Sequence, residues 1–473
     1  MHRPNLARSR VAALAFALIL SGCGSSGTTG GGTGGAQATG GTQATGGTQA
    51  TGGTRATGGT PGGSGGTTST GGTPGSGGTS ATGGASGGSS GSAGRGGAAG
   101  GSAGTTSTGG RGGSAGAAGG RGGAAGTGTG GSAGAGDTVN ATAMAADMGF
   151  GANIGNTFDN TTTWETGWGQ PLVTQAFING MASHKIKTVR VPVAWNTYAV
   201  NGVIDATKMN RIKQVVGWIL DAGMYPIVNI HWDGGWIDGE GAAQPYTLTS
   251  DVKTKFASYW TQIATAFASV GNKLIFEGLN EEGKFYVNGN SSGTPDYAAL
   301  NTLNQLFVTT VRAQSGYNQT RALLIAGFTT DIDLTCVDAF TVPTDPAGPN
   351  RLFLSIHYYT PYTFCGLDTV ESWGSPQTTW GTSADQTTLQ GYFTKLANFS
   401  AQKKIPVILG EFGVTKGMAY PRDPASRVLW MQSVAKACFA HGMVPVLGDT
   451  GTDISRTDGS FDSDLQAVMN GLP

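Results

Sequence analysis

Residues 24–136 contain no Val, Ile, Leu, Met, Phe, Trp or Tyr, and no Asp or Glu occurs anywhere before Asp137. A stretch without large apolar side chains cannot bury enough surface to offset its ordering entropy, so no packed core is expected there. Glycine fills the gap: 50 of the 84 glycines fall within those 113 positions. All ten Trp lie beyond it. The formal charge of zero conceals a segregation. Seven Arg (Arg3, Arg8, Arg10, Arg55, Arg95, Arg111 and Arg121) are the only charges up to Gly136, which leaves 21 Lys and Arg against 28 Asp and Glu afterwards. A mildly acidic body argues against nucleic acid as a partner. The body runs over 137–473, a length that suits one α/β barrel.

The N-terminal apolar run, Val11–Leu20, is about half what a membrane-spanning helix needs. Preceded by Arg3, Arg8 and Arg10 and followed by small residues, residues 1–22 read as a signal peptide. Leu20-Ser21-Gly22-Cys23 resembles the bacterial lipobox, in which the cysteine thiol is lipidated; an ordinary cleaved signal is the alternative. Gly24 stands where an inner-membrane retention Asp would be, so the resemblance implies an outer-membrane or cell-surface lipoprotein held to the membrane through Cys23. Residues 23–136, with Ala-Thr-Gly-Gly-Thr repeats, then form a disordered tether with a root-mean-square reach of roughly 55–65 Å.

Cysteine is scarce: after Cys23 only Cys336, Cys365 and Cys438 remain. Cys336 and Cys365 fall in loops after expected strands and are the pair more suited to a disulfide, whereas Cys438 lies in an apolar helical pattern. No Cys-x-x-Cys or His-x-x-x-His spacing points to a metal, and no cofactor is expected.

Eight β-rich runs alternate with helical patterns: 149–155, 186–193, 224–231, 273–279, 322–326, 352–357, 405–409 and 443–447. Amphipathic stretches such as 209–222 and 252–269 separate them. This alternation predicts βαβ units and a (β/α)8 TIM barrel. An open doubly wound sheet is the alternative, but no Gly-x-Gly-x-x-Gly turn follows the first strand. Polar residues gather at the expected strand ends: Arg190; His231, Trp232 and Asp233; Asn280, Glu281 and Glu282; His357 and Tyr359; Glu411. In a barrel these share one mouth, and two carboxylates from different strands make a general acid/base arrangement. His184 and His441 fall in ordinary helix or loop contexts.

The motifs 151–158 (GANIGNTF), 165–169 (ETGWG), 188–195 (TVRVPVAW), 228–233 (VNIHWD), 274–281 (LIFEGLNE), 355–361 (SIHYYTP) and 409–413 (LGEFG) resemble glycoside hydrolase family 5, the old cellulase family A. The likeness spans 144–452 and is greatest to the branch of endoglucanases, lichenases and xyloglucanases. It implies Glu281 as acid/base, Glu411 as nucleophile and Asn280 as partner of the sugar 2-OH. It further implies Arg190 and Tyr359 holding the nucleophile, His357 beside the acid/base and His231 against a sugar. A retaining mechanism needs the two carboxyl groups about 5–5.5 Å apart.

Three positions depart from the family pattern. Ala152 replaces a Trp. Glu282 replaces a Pro and is expected either to raise the acid's pKa or to point to solvent. Gly448 stands where the family has a Trp flooring a sugar subsite, for which Trp373 or Trp380 could substitute. Trp164, Trp168, Trp232, Trp236, Trp373 and Trp380 are candidates for the glycan cleft, with Trp232 and Trp236 next to His231. Trp195, Trp218, Trp260 and Trp430 are expected in the core. The resulting expectation is a monomeric, surface-anchored, retaining endo-β-1,4-glucanase acting on β-glucan polysaccharide. The alternatives are a β-mannanase or xyloglucanase on the same barrel, or a non-catalytic glycan-binding lipoprotein.

Overall fold

The computed structural model describes residues 139–238, 247–283, 285 and 294–473. The signal peptide, Cys23 and the tether lie outside the described residues. Helix α1 (Ala141–Met148) leads into β1 (Gly151–Asn153), α2 (Gln175–Ser183) and β2 (Thr188–Val191). A small antiparallel hairpin, β3 (Ala199–Val200) and β4 (Val203–Ile204), precedes α3 (Ala206–Asp221), β5 (Tyr225–Asn229), α4 (Ser250–Ala266) and β6 (Ile275–Glu277). Then come α5 (Tyr297–Arg312), β7 (Leu323–Ala326), the short α6 (Ile332–Thr335), β8 (Leu352–Tyr358) and the short α7 (Tyr362–Cys365). Helix α8 (Ser383–Lys403), β9 (Val407–Phe412), α9 (Pro424–Ala440), β10 (Val444–Leu447) and α10 (Ser463–Asn470) complete the chain. Eight parallel strands close a barrel in the order β1-β10-β9-β8-β7-β6-β5-β2, which is the (β/α)8 expectation.

All eight expected strands are present, most of them shorter than their apolar runs. Leu274 and Leu279 flank β6 and are fully buried, so burial continues where the ladder stops. The helices begin where a polar side chain takes an orphan N–H. Asp205 caps α3 at Lys208, Thr249 caps α4 at Val252, and Thr382 and Asp385 form a capping box on α8.

Strand alternation splits the interior in two. Ile227, Ile275, Leu324, Phe353, Ile408 and Val446 form one cluster with Ala141, Ala145 and Met148 of α1, which closes that end of the barrel. Their neighbours Val228, Phe276, Ile325, Leu354, Leu409 and Leu447 join the larger cluster beneath the outer helices. Two residues beyond the apolar layer the same inward positions become polar: Asn229 follows Ile227, Glu277 follows Ile275 and Ser355 follows Phe353, with His357 a further two residues on. That change of chemistry puts polar groups at the C-terminal mouth on a rigid floor.

Candidate active site

Arg190 is the hub of the mouth. It is fully buried, and its guanidinium meets four acceptors from three other strands or their ends. Nε binds Glu277 Oε2 at 2.6 Å, Nη1 binds Asn153 Oδ1 at 2.9 Å and Glu411 Oε1 at 2.6 Å, and Nη2 binds Asn280 Oδ1 at 2.7 Å. Asn153 is itself fixed by donating to the carbonyls of Gly410 (2.8 Å) and Leu447 (3.0 Å). Ser355 donates to the second oxygen of Glu277 at 2.7 Å. Burying one cation among two carboxylates is tolerable because all three guanidinium nitrogens have an acceptor. Glu277, Asn153 and Ser355 had no role assigned from sequence. The signal was available: a carboxylate inside the apolar run Leu274-Ile275-Phe276-Glu277 needs a buried cation, and Arg190 lies inside another strand.

Glu411 is the penultimate residue of β9, with 14% of its side chain exposed. Its second oxygen accepts from the Tyr359 hydroxyl at 3.0 Å. Burial by itself would raise this carboxyl; the neighbours His357, Arg190 and His231 outweigh it and hold the pKa at about 2. Arg190 carries its charge at every working pH. The Tyr359 phenol is pushed well above its ordinary range by burial and by Glu411, so it stays a donor.

Glu281 is more open, with 30% of its side chain exposed, and one oxygen lies 2.7 Å from His357 Nδ1. One oxygen of Glu281, one of Glu411 and a ring nitrogen of His357 all fall within 4.8 Å of one another. These three are also the described groups whose donors could face a single cation; Arg190 supplies the positive charge on the Glu411 side. The carboxylate separation suits direct attack by one carboxylate with proton transfer by the other, without room for a water between them. Asn280 is buried and its carbonyl oxygen is taken by Arg190, which leaves its NH2 for another acceptor. His231 Nδ1 lies 3.2 Å from Asn229 Nδ2. Burial and Arg190 lower its pKa to about 3, so a neutral ring faces the mouth at ordinary pH.

The remaining candidates divide. Trp232 is 38% exposed beside His231, Trp168 and Trp373 are each 40% exposed, and Trp373 leans on Tyr362 at 6.3 Å. Trp236 is half-buried, edge-on to Tyr259 at 5.6 Å with the Lys255 ammonium 4.3 Å above its ring. Trp164 is a correction to the cleft expectation: it is buried between Phe158 (5.5 Å) and Tyr198 (4.7 Å). Trp380 is buried as well and cannot floor a sugar site. Trp195, Trp260 and Trp430 are core residues as expected, whereas Trp218 is only partly buried.

Glu282 does not point to solvent. It is buried, accepts from the Asn280 N–H at 2.6 Å, and is pushed well above the carboxylate range by burial and then by Asp238. It therefore fixes the turn that carries Glu281. Cys336 and Cys365 are not bridged, which corrects the disulfide expectation; Cys438 is a buried thiol as expected. Their thiols are kept protonated by burial. His184 caps α2 with its ring 4.6 Å from Phe461, and His441 caps α9; neither joins the site.

Residues 149–442 match the family model described as cellulase (glycosyl hydrolase family 5). The chain belongs to glycoside hydrolase family 5. It is 33% identical over 343 residues to endoglucanase A of Paenibacillus barcinonensis, covering 66% of this chain and 83% of that one. It is 32% identical over 356 residues to a xyloglucan-specific endo-beta-1,4-glucanase of Bacteroides ovatus, covering 70% of each chain. Among solved structures it is similar to a broad-specificity endoglucanase from an uncultured bovine rumen ciliate, with a TM-score of 0.62, 34% identity and coverage of 70% of this chain and 98% of that chain. The family match therefore spans the barrel from β1 through α9. No described helix is long and apolar enough to cross a membrane.

Proposed function

We propose that this family 5 hydrolase cleaves internal β-1,4 bonds of a glucan polysaccharide with retention, using Glu411 as nucleophile and Glu281 as acid/base. The observation that carries the reading is the asymmetry of the two close carboxylates. Glu411 is clamped by Arg190 and Tyr359 and held ionised; Glu281 is more exposed and faces His357. Glu411 attacks the anomeric carbon as Glu281 protonates the leaving oxygen. Glu281 then takes a proton from the water that releases the glycosyl-enzyme. Asn280 meets the 2-hydroxyl, His231 and Trp232 meet neighbouring sugars, and Trp236 holds the wall behind them. The names of the relatives support glucan or xyloglucan over mannan. The complete set of polar groups argues against a barrel that only binds glycan.

The test is paired. Glu411→Ala should be inactive on β-glucan, and azide should restore cleavage of an activated aryl glycoside with an inverted product. Glu281→Ala should lose at least about 10²-fold on polymer, the scale of general acid/base help. It should keep activity on dinitrophenyl glycosides, with azide giving a retained product. Near wild-type polymer cleavage by Glu411→Ala would refute the assignment. Reducing-end release from carboxymethylcellulose, barley β-glucan, xyloglucan and mannan ranks the substrates.

We further propose that the enzyme works as a monomer held by a lipid on Cys23 to the outer membrane or cell surface, with residues 1–22 removed and 24–136 as the spacer between anchor and barrel. The lipobox-like Leu20-Ser21-Gly22-Cys23 motivates this. Cys23→Ser should release the protein from membrane fractions; unchanged fractionation would refute anchoring.

A further inference from the structure

The turn that carries Glu281 is held from three sides by groups outside the reacting pair. Glu282 folds its carboxyl back over the turn, where Oε2 accepts the Asn280 N–H at 2.6 Å and the Glu282 N–H points at the same group. The Glu282 carbonyl accepts the Thr329 N–H at 3.2 Å from the loop after β7. The Gly283 N–H donates to Asp238 Oδ2 at 3.3 Å from the loop after β5. Glu282 and Asp238 are both buried. Thr329 and Thr330 have φ of 48° and 52°. Two successive β-branched residues in the left-handed region are strained, and the strain lies where this loop meets the acid's turn.

The side chain of Glu281 is held more loosely than its neighbours. It is 30% exposed and bonds His357 Nδ1 at 2.7 Å. Asn280, by contrast, is gripped through its own side chain by Arg190 at 2.7 Å, and Glu411 by both Arg190 and Tyr359. The place of the acid therefore depends on the backbone of its turn more than the place of the nucleophile does. A general acid must lie within hydrogen-bond reach of the leaving oxygen, and an error of about 1 Å costs about 10²-fold. Where the family pattern has Pro, the ring itself fixes the backbone after the acid. This chain has a side-chain acceptor at that position instead.

We propose that Glu282 is a positioning residue for the acid/base: its carboxyl oxygen, as an acceptor and not as a charge, locks the turn 280–282 and so sets the reach of Glu281 toward the leaving oxygen. Burial and Asp238 both favour the neutral carboxyl, whose shape and acceptor a Gln reproduces. Met fills the same length without a strong acceptor.

The inference rests on the reading of Glu281 as acid/base, and the dependence on leaving group tests it. The two substrates are dinitrophenyl β-cellobioside, which needs little protonation, and the polysaccharide that the wild-type chain cleaves best. Glu282→Met should lower kcat/KM on the polysaccharide about 10- to 100-fold and on the aryl glycoside less than about threefold. A general loss of structure lowers both alike. On the aryl glycoside kcat should fall, because Glu281 also deprotonates the water of the second step, and azide should restore it. Glu282→Gln should stay within about threefold of wild type on both substrates. Equal losses on both substrates, a Gln variant as poor as the Met variant, or wild-type polysaccharide cleavage by Glu282→Met would overturn the proposal. Glu282→Ala repeats the measurement with a smaller side chain. If Met and Ala chains both fail to fold while the Gln chain folds, the bond serves stability alone and the proposal is also overturned. Glu281→Ala is the control. If it lacks the leaving-group dependence, the acid assignment itself fails; if it shows the dependence and Glu282→Met does not, only the positioning role of Glu282 is refuted.

Discussion

Glu277→Ala should cost about 3–5 kcal/mol of stability, the scale for breaking one side of a fully buried ion pair. Both partners are completely buried, Arg190 Nε lies 2.6 Å from Glu277 Oε2, and the Ser355 hydroxyl donates to the other oxygen at 2.7 Å. The substitution strands two buried donors at once and leaves a cavity. For a body of this size the loss corresponds to a fall in Tm of roughly 6–10 °C. Glu277→Gln keeps one acceptor but turns an NH2 toward a donor, so its loss should be intermediate, about 2–3 kcal/mol. The pH profile gives a second, independent reading. Arg190 keeps three other acceptors, Asn153, Asn280 and Glu411. If these hold it in place, removing the negative Glu277 cannot raise the Glu411 pKa, and the acid limb of kcat/KM should stay or move down. If Arg190 swings away, Glu411 loses its permanent cation and the limb rises. The expected outcome is a large stability loss with no upward shift. Thermal and urea unfolding at pH 7, with kcat/KM followed from pH 3 to 8, measure both. A Glu277→Ala Tm within about 2 °C of wild type would refute the ion-pair energetics. A raised limb would refute the view that Asn153 and Asn280 fix Arg190.

The acid side of stability should show opposing groups. Asp159 and Asp453 are raised by burial from 3.8 to about 6, so their contribution is full below 3.8 and lost as pH rises through 6. Glu411, lowered from 4.5 to about 2, contributes fully above 4.5 and loses this as pH falls through 2. The Tm should therefore rise on acidification from pH 7 to about 5 and fall below about 4; a monotonic fall from pH 7 would contradict it. Arg321, whose guanidinium bonds the carbonyls of Leu274, Phe267 and Val270 and the side chain of Asn318, faces no carboxylate among the described residues and is lowered by burial to about 9. Arg321→Ala should cost about 3–5 kcal/mol by leaving several buried acceptors unpaired, at unchanged KM; a loss below about 1 kcal/mol in urea unfolding would refute this. Denaturing the protein without reductant should leave Cys336, Cys365 and Cys438 all open to alkylation, and reductant should not lower Tm. A disulfide-linked peptide joining Cys336 to Cys365 in a digest would refute the free-thiol assignment.

Much of this enzyme follows from local sequence. Apolar runs alternating with amphipathic helices determine a parallel barrel, because a strand buried on both faces reads as continuous Val, Ile and Leu. The residues that close each run, Arg190, His231, Glu281, His357 and Glu411, then share one mouth because parallel strands all end on the same side. What pairs with what was decided only by closure of the barrel. β1 lies beside β10, so Asn153 reaches the carbonyls of Gly410 and Leu447, some 250 to 300 residues away in sequence. Glu277 reads as one more residue of a strand until the register sets it on Arg190. Trp164 and Trp380, placed in loops by their neighbours, are drawn into the core because large aromatic surface is buried wherever packing allows. Cys336 and Cys365 each follow a strand, yet sequence spacing says nothing of the geometry a disulfide requires. Gly448 registers in sequence as a missing side chain; only the folded chain shows that the Tyr359 hydroxyl lies beside it, because the contact joins the ends of two strands nearly ninety residues apart.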